Sequence, residues 1–381
     1  MIFDTKSIDE VLASTETDEP RLAKALGPVQ ITLLGIGAII GAGIFATIGT
    51  AAAGDAHRLG AGPALMLSFV VSALVCSFAA FCYAEFASMV PISGSAYTYA
   101  YATLGEIIAW IIGWDLIIEY AVGNVAVAIS WANYLKTLLA EAGVHIPDWI
   151  STDSTTAQKM PELLAQAPHL FGVPIVFNFP AFFIVAAITI VLLIGIKESA
   201  RFNAGMVIVK LLVLSYFVIV GASHAHASNW VPFMPNGMKG MFSGAAVIFF
   251  AFIGFDAVST VAEEAKNPQR DLPIGIISSL AICTVFYVLV AAVFTAMIPY
   301  DALVKFLSTQ QAEPLAIALQ YVNVRGLTIG IVAMGSVIAH TAVLLVFQLG
   351  QPRIFFAMSR DGLLPKFFAR VHPRFHTPWN S

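Results

Sequence analysis

Charge is scarce in this chain. Asp, Glu, Lys and Arg make up 11% of the 381 residues, where a soluble domain carries roughly 25%, so a water-facing globular protein is excluded. Hydrophobic residues make up 59% and the mean hydropathy is +0.84, which leaves a polytopic membrane protein. Cysteine is almost missing: Cys76, Cys82 and Cys283 all fall in apolar stretches, so they are read as packing residues and neither a disulfide framework nor a zinc site is indicated. No glycine loop with lysine and serine builds a phosphate cradle, and no His/Glu cluster has metalloprotease spacing. No metal, no organic cofactor and no enzyme activity are therefore expected. The net charge of -4 is small and dispersed, and it gives no reason to expect a nucleic-acid partner. Residues 1–28 carry Asp4, Asp9, Glu10, Glu16, Asp18 and Glu19 against Lys6, Arg21 and Lys24. Without a basic start and an apolar core they do not read as a cleavable signal peptide but as a cytoplasmic tail.

What is abundant is long apolar sequence. Runs able to cross a hydrocarbon core roughly 30 Å thick occur at 29–52, 62–84, 104–139, 175–195, 203–222, 241–262, 273–297 and 326–350. They predict about eight transmembrane helices, spans one to eight, the third long enough to require tilt. With the amino terminus cytoplasmic, twelve lysines and arginines fall inside (Lys6, Arg21, Lys24, Lys197, Arg201, Lys266, Arg270, Arg353, Arg360, Lys366, Arg370, Arg374). Six fall outside (Arg58, Lys136, Lys159, Lys239, Lys305, Arg325), the bias of the positive-inside rule. A multi-pass protein of a plasma membrane, with lipid around it, is the expectation.

Two spans are weakened in their middles. "GIGAIIGAGIF" at 35–45 places four glycines in span one, although glycine weakens a helix by about 1 kcal/mol relative to alanine. "FFAFIGFDAVST" at 249–260 places Gly254 and the intramembrane Asp256 in span six. Both interruptions reach a similar depth, and the two spans run in opposite directions. Interrupted helices in corresponding positions of two halves point to a transporter site built from inverted repeats. Helix packing through Gly37 and Gly41 is the competing reading of the first stretch. If span one unwinds near Gly41, amides and carbonyls are stranded where no water can satisfy them. A zwitterion would fit, with its carboxylate at Gly41, Ala42, Gly43 and Ile44, and with its ammonium and pocket walls at Ile40, Phe250, Ala251, Phe252 and Gly254.

Together with "YAEFASMVPISGSAYTYAY" at 83–101, "GWDLIIEY" at 113–120, "FFAFIGFDAVSTVAEEAKNPQRDLP" at 249–273 and "GQPRIFFAMSRDGLLP" at 350–365, the glycine stretch resembles the amino acid-polyamine-organocation (APC) superfamily, and within it the bacterial members of the cationic amino acid transporter family. The resemblance implies an all-α integral membrane protein with a LeuT-like fold of two inverted five-helix repeats, broken at helices 1 and 6. It implies an amino acid permease working by alternating access, with amino acids as substrate and a proton as the coupling ion. The alternatives are a proton-independent exchanger and, from another class, a non-transporting amino acid sensor or an inactive truncated homologue. On this reading residues 29–222 form the first repeat with helices 1–5, 223–240 an external loop, and 241–350 an incomplete second repeat with helices 6–8. Residues 351–381 are a cytoplasmic segment before an expected ninth helix, so the chain is expected to be carboxy-terminally truncated.

Lys210 lies within "MVIVKLLVL" of span five. An ammonium in hydrocarbon is costly, which makes Lys210 a candidate proton carrier, and proton-coupled relatives place a lysine in the fifth helix. Snorkelling to the cytoplasmic surface is the alternative. Glu119, four residues from Asp115 on one face of span three, is a candidate for substrate or gating contact, or for a structural one. Asp256 is a candidate helix cap or gating residue. His340 in span eight is expected to be a packing or pore-lining residue. Tyr97, Tyr99 and Tyr101 are expected in an interfacial aromatic belt, and Pro273 at the start of span seven.

Overall fold

In hydrocarbon a helix satisfies its own backbone, so sustained apolar sequence becomes spanning helix. The computed structural model describes residues 5, 24–55, 57–158, 160–194, 196–309, 313–324, 326–372, 377–378 and 380–381. The tail expected at 1–28 lies outside these residues except for Thr5 and 24–28, as do residues 373–376 and 379 of the final segment.

Among the described residues seven stretches are long and apolar enough to cross a bilayer: Pro28–Ala53, Gly62–Met89, Glu106–Ala140, Ala200–Ala222, Gly237–Glu264, Pro268–Met297 and Leu327–Arg360. Phe179–Ile194 supplies span four with 16 residues, about 24 Å at 1.5 Å per residue, so it is shorter than the predicted 175–195. Its start is set by Asn178, whose side chain accepts the amide of Ala181 and caps the helix. Span three is one unbroken helix from Glu106 to Glu141.

Three expectations are corrected at helix ends. Span seven begins at Pro268, with Pro273 inside it, because a proline in the first turn has no intrahelical bond to lose. Span eight passes Pro352 and ends at Arg360, so Arg353 is a buried residue inside the helix rather than one beyond its end. Its charge is neutralised by Glu264, at 2.5 Å. The tyrosines form no interfacial belt: Tyr97 and Tyr99 are buried on a short helix, Ala96–Thr103. Tyr97 donates to Asp361 at 2.8 Å, and Tyr99 stacks on Phe86. Of the cysteines, Cys76 and Cys283 are packed inside, but Cys82 is exposed.

The central elements are spans one, six and eight, whose apolar windows are 78%, 72% and 67% buried, against 39% for spans two, three, five and seven. Span seven lies along spans one and two, span eight along span three, and span five packs on one, seven and eight. Two short helices join spans seven and eight, Tyr300–Thr309 and Pro314–Tyr321. The second buries Leu315 through Leu319 and touches the second half of span one, closing that side of the centre.

Candidate functional site

Both predicted interruptions are present. The first half of span one ends at Ile39, with extended backbone at Ile40 (φ -78°, ψ 105°). The helix restarts so that the Gly41 carbonyl accepts the amides of Ile44 and Phe45, as a wider π-turn over Gly43–Thr47. Span six is helical to Ile248, tightens over Phe249–Phe252, and turns at Gly254 (φ +117°), a conformation glycine adopts freely. It resumes as a tight helix over Asp256–Glu264.

The two breaks touch. A Cβ on Gly43 would lie 2.3 Å from the Cα of Ala251, and one on Gly254 would lie 2.8 Å from Ala38. Later residues of span one thus meet earlier residues of span six, so the broken helices cross antiparallel. The close approach open to glycine and the unwinding are both realised. Gly41 faces Val343 of span eight and Gly37 faces Asn203 of span five.

A break strands polar backbone, and protein side chains answer most of it. Lys210, fully buried, donates from Nζ to the carbonyls of Gly37 and Ile40, each at 2.9 Å. It therefore does not snorkel. The Tyr287 hydroxyl of span seven lies 2.8 Å from the carbonyls of both Ile39 and Ala251, so its single proton is shared between them and ties the two breaks together. The carbonyls of Ile40 and Ala251, predicted for a substrate ammonium, already accept from the protein, although each oxygen keeps a second lone pair. The amides of Ala42 and Gly43 open the second half-helix and have no intrahelical partner. Phe252 packs between Phe69 and Tyr287, and Ile44, Phe45 and Ala251 are buried at the break, with Phe250 half-buried.

Of the acidic candidates, Asp256 is bonded to the break of span six itself. Asp256 accepts the amide of Gly254 at 3.1 Å and the phenol of Tyr120 at 2.8 Å, so it secures the turn before it rather than capping the helix after it. Glu119, half-buried, feels the charges of Asp256 and Asp115. On the other side of the break His340 packs against the rings of Phe45 and Tyr134. Its Nδ1 lies 2.7 Å from the Ser336 carbonyl, which only accepts and therefore places the proton there. Tyr134 donates to the Phe45 carbonyl at 2.5 Å.

Sequence reasoning missed Tyr287, Tyr120 and Tyr134. The available signal was a tyrosine within an apolar run, since a buried phenol needs a partner. Beyond the spanning segments, Glu313 precedes the short helix Pro314–Tyr321 and accepts from Thr137 at 2.9 Å. Burial raises its carboxyl above the usual range, and the Thr137 bond partly opposes that.

Residues 26–381 match the amino acid permease family. The chain is 48% identical over 378 residues to the branched-chain amino acid permease BcaP of Bacillus subtilis (strain 168), covering 99% of this chain and 76% of that protein. It is 45% identical over 380 residues to the methylthioribose transporter of the same organism, with 100% and 76% covered. The human cationic amino acid transporter 4 is 36% identical over 371 residues, with 95% of this chain and 54% of that protein covered. Among solved structures, MhsT in complex with L-phenylalanine matches with a TM-score of 0.59 at 15% identity, over 90% of this chain and 76% of that one. That likeness carries the fold alone, the LeuT-like arrangement.

Proposed function

This chain belongs to the amino acid permease family, and we propose that it is a proton-coupled permease that takes up an apolar amino acid by alternating access, with Lys210 as the group that exchanges the proton. As a member of this family it is an amino acid transporter and not an enzyme, a multi-pass membrane protein. The plasma membrane as its location and a cytoplasmic amino terminus belong to the proposal.

The observation that carries the proposal is the pair of bonds from Lys210 to Gly37 and Ile40. A neutral amine has two N–H groups, enough for these two carbonyls. An ammonium has three donors and must place the third. Gaining or losing that proton therefore changes what the first break requires, at the point where span one is interrupted. A substrate carboxylate would lie against the amides of Ala42 and Gly43, at the positive end of the second half-helix. Its ammonium would share the carbonyls around Ile40 and Ala251. Relatives named for a branched-chain amino acid and for methylthioribose are nearly equally similar, so the walls choose. Val343 against Gly41 and Ala251 against Gly43, with Ile44, Phe45 and Phe252 nearby, favour a small apolar side chain.

Uptake of a labelled panel of amino acids and of labelled methylthioribose into proteoliposomes, with and without an inward proton gradient, tests this. Accumulation of valine, leucine or isoleucine only with the gradient is expected. Accumulation indifferent to the gradient removes the proton, and uptake of methylthioribose alone removes the amino acid.

A further inference from the structure

The loop between spans three and four carries a small β-hairpin, His169–Leu170 paired antiparallel with Val173–Pro174. Both residues of its tip have positive φ, Phe171 at +52° and Gly172 at +80°, as a tight two-residue hairpin turn demands. Glycine accepts that conformation. Phenylalanine accepts it poorly, and Asn or Asp would be the ordinary choice there. Phe171 is also 98% exposed, the highest exposure of any large hydrophobic side chain among the described residues, and Leu170 and Val173 beside it are 57% and 65% exposed. A strained, bare aromatic ring at a hairpin tip costs the isolated protein on both counts.

The apolar surface does not stop at the hairpin. Ile175, Phe177 and Phe179 lead from it into span four and are exposed as well, and they continue into the exposed Phe182 and Phe183. Phe177 packs on Phe182 with ring centroids 5.7 Å apart, while its amide donates to the Trp149 carbonyl. This lays the connecting segment against the outer surface of span four, so the hairpin strip and the lipid-facing surface of that helix are one surface. Length supplies the second argument. Span four has 16 helical residues, about 24 Å against a core of roughly 30 Å. At its far end the chain passes into span five, where Arg201 is exposed and its charge holds that end at the membrane surface. The shortfall falls on the near end, where the flanking segment meets the bilayer.

We propose that the Leu170–Phe171–Val173 hairpin tip inserts into the lipid interface of the leaflet on its own side of the membrane, anchoring the loop between spans three and four. Lipid covers the bare phenylalanine and fills the place next to the short helix. The claim concerns a membrane contact of the loop and does not depend on the substrate or the coupling ion.

The test uses the full chain in phosphatidylcholine–phosphatidylglycerol vesicles. In a Cys82→Ser background, Phe171→Cys carries a nitroxide label, and Glu162→Cys, in the same loop and exposed, carries the control label. The label at 171 is expected to be relaxed more strongly by oxygen than by a water-soluble nickel complex, with the opposite order at 162. A second measurement uses Phe171→Trp, whose added fluorescence, taken as the difference from the parent protein, is expected to be quenched by lipids brominated high on the acyl chain. Nickel-dominated relaxation at 171 matching that at 162, or tryptophan emission indifferent to brominated lipid, would overturn the proposal.

Discussion

The amine of Lys210 lies 2.9 Å from the carbonyl oxygen of Ile40, so a side chain from span five completes the backbone of span one where that helix is interrupted. This relationship joins a buried ionisable group to the geometry of the break, and it yields the first prediction. Lys210→Ala abolishes gradient-driven accumulation while substrate binding or exchange persists. Uptake and counterflow in the same vesicles check it; pH-dependent accumulation equal to that of the parent refutes the coupling role.

Tyr287→Phe removes one hydroxyl and leaves the carbonyls of Ile39 and Ala251 without that donor. An unsatisfied buried polar group costs about 1–3 kcal/mol, so a loss of stability in that range is expected in denaturant titration. Phe69→Leu, a change without a hydroxyl on the same aromatic cluster, serves as the comparison for packing alone.

Gly43→Ala forces a methyl group toward the Cα of Ala251, which is backbone and cannot swing aside. Overpacking costs about 1–3 kcal/mol, and separation of the two breaks is expected to abolish transport. Gly330→Ala, where an added Cβ meets nothing within 4 Å, should leave both stability and uptake intact.

Arg353 and Glu264 are each nearly inaccessible and bonded at 2.5 Å, joining span eight to the end of span six. Removing one partner of such a pair costs about 3–5 kcal/mol, while replacing both with apolar residues restores much of it. Arg353→Met and Glu264→Met singly, and then together, form the double-mutant cycle that measures this, with protein recovery and thermal stability as readouts.

Glu313 supplies a pH dependence outside the spanning segments. Burial raises its carboxyl in the folded state, so the folded protein holds this proton at pH values where the unfolded chain has released it. Its contribution to stability is therefore highest below the unfolded carboxylate value, falls as pH rises toward the folded one, and is level above that. Glu313→Gln is expected to flatten this slope in thermal unfolding followed across mildly acidic pH.

The positions of the breaks were legible because glycine at mid-depth in an apolar run is expensive unless it does something. Gly41 and Gly254 mark the interruptions to within a residue or two. The ends of spans seven and eight were less legible. Pro268 and Pro273 are both acceptable near a helix start, and Arg353 looks like a surface residue until Glu264 is placed beside it. Span four was read too long because the apolar residues 175–177 continue its hydrophobicity without its helix.

By itself the sequence determined a membrane-embedded all-helical protein, about eight spans, and two interruptions of opposite direction at one depth. Hydrocarbon leaves so few options for a backbone that hydrophobic length and glycine placement suffice. Only the tertiary structure decided which donors answer the stranded carbonyls. Lys210 is 173 positions from Gly37, and Tyr287 is 248 from Ile39. In a helix apolar toward both lipid and protein, no periodicity reveals which face turns inward, and the partner of a break is whichever donor packing brings to it.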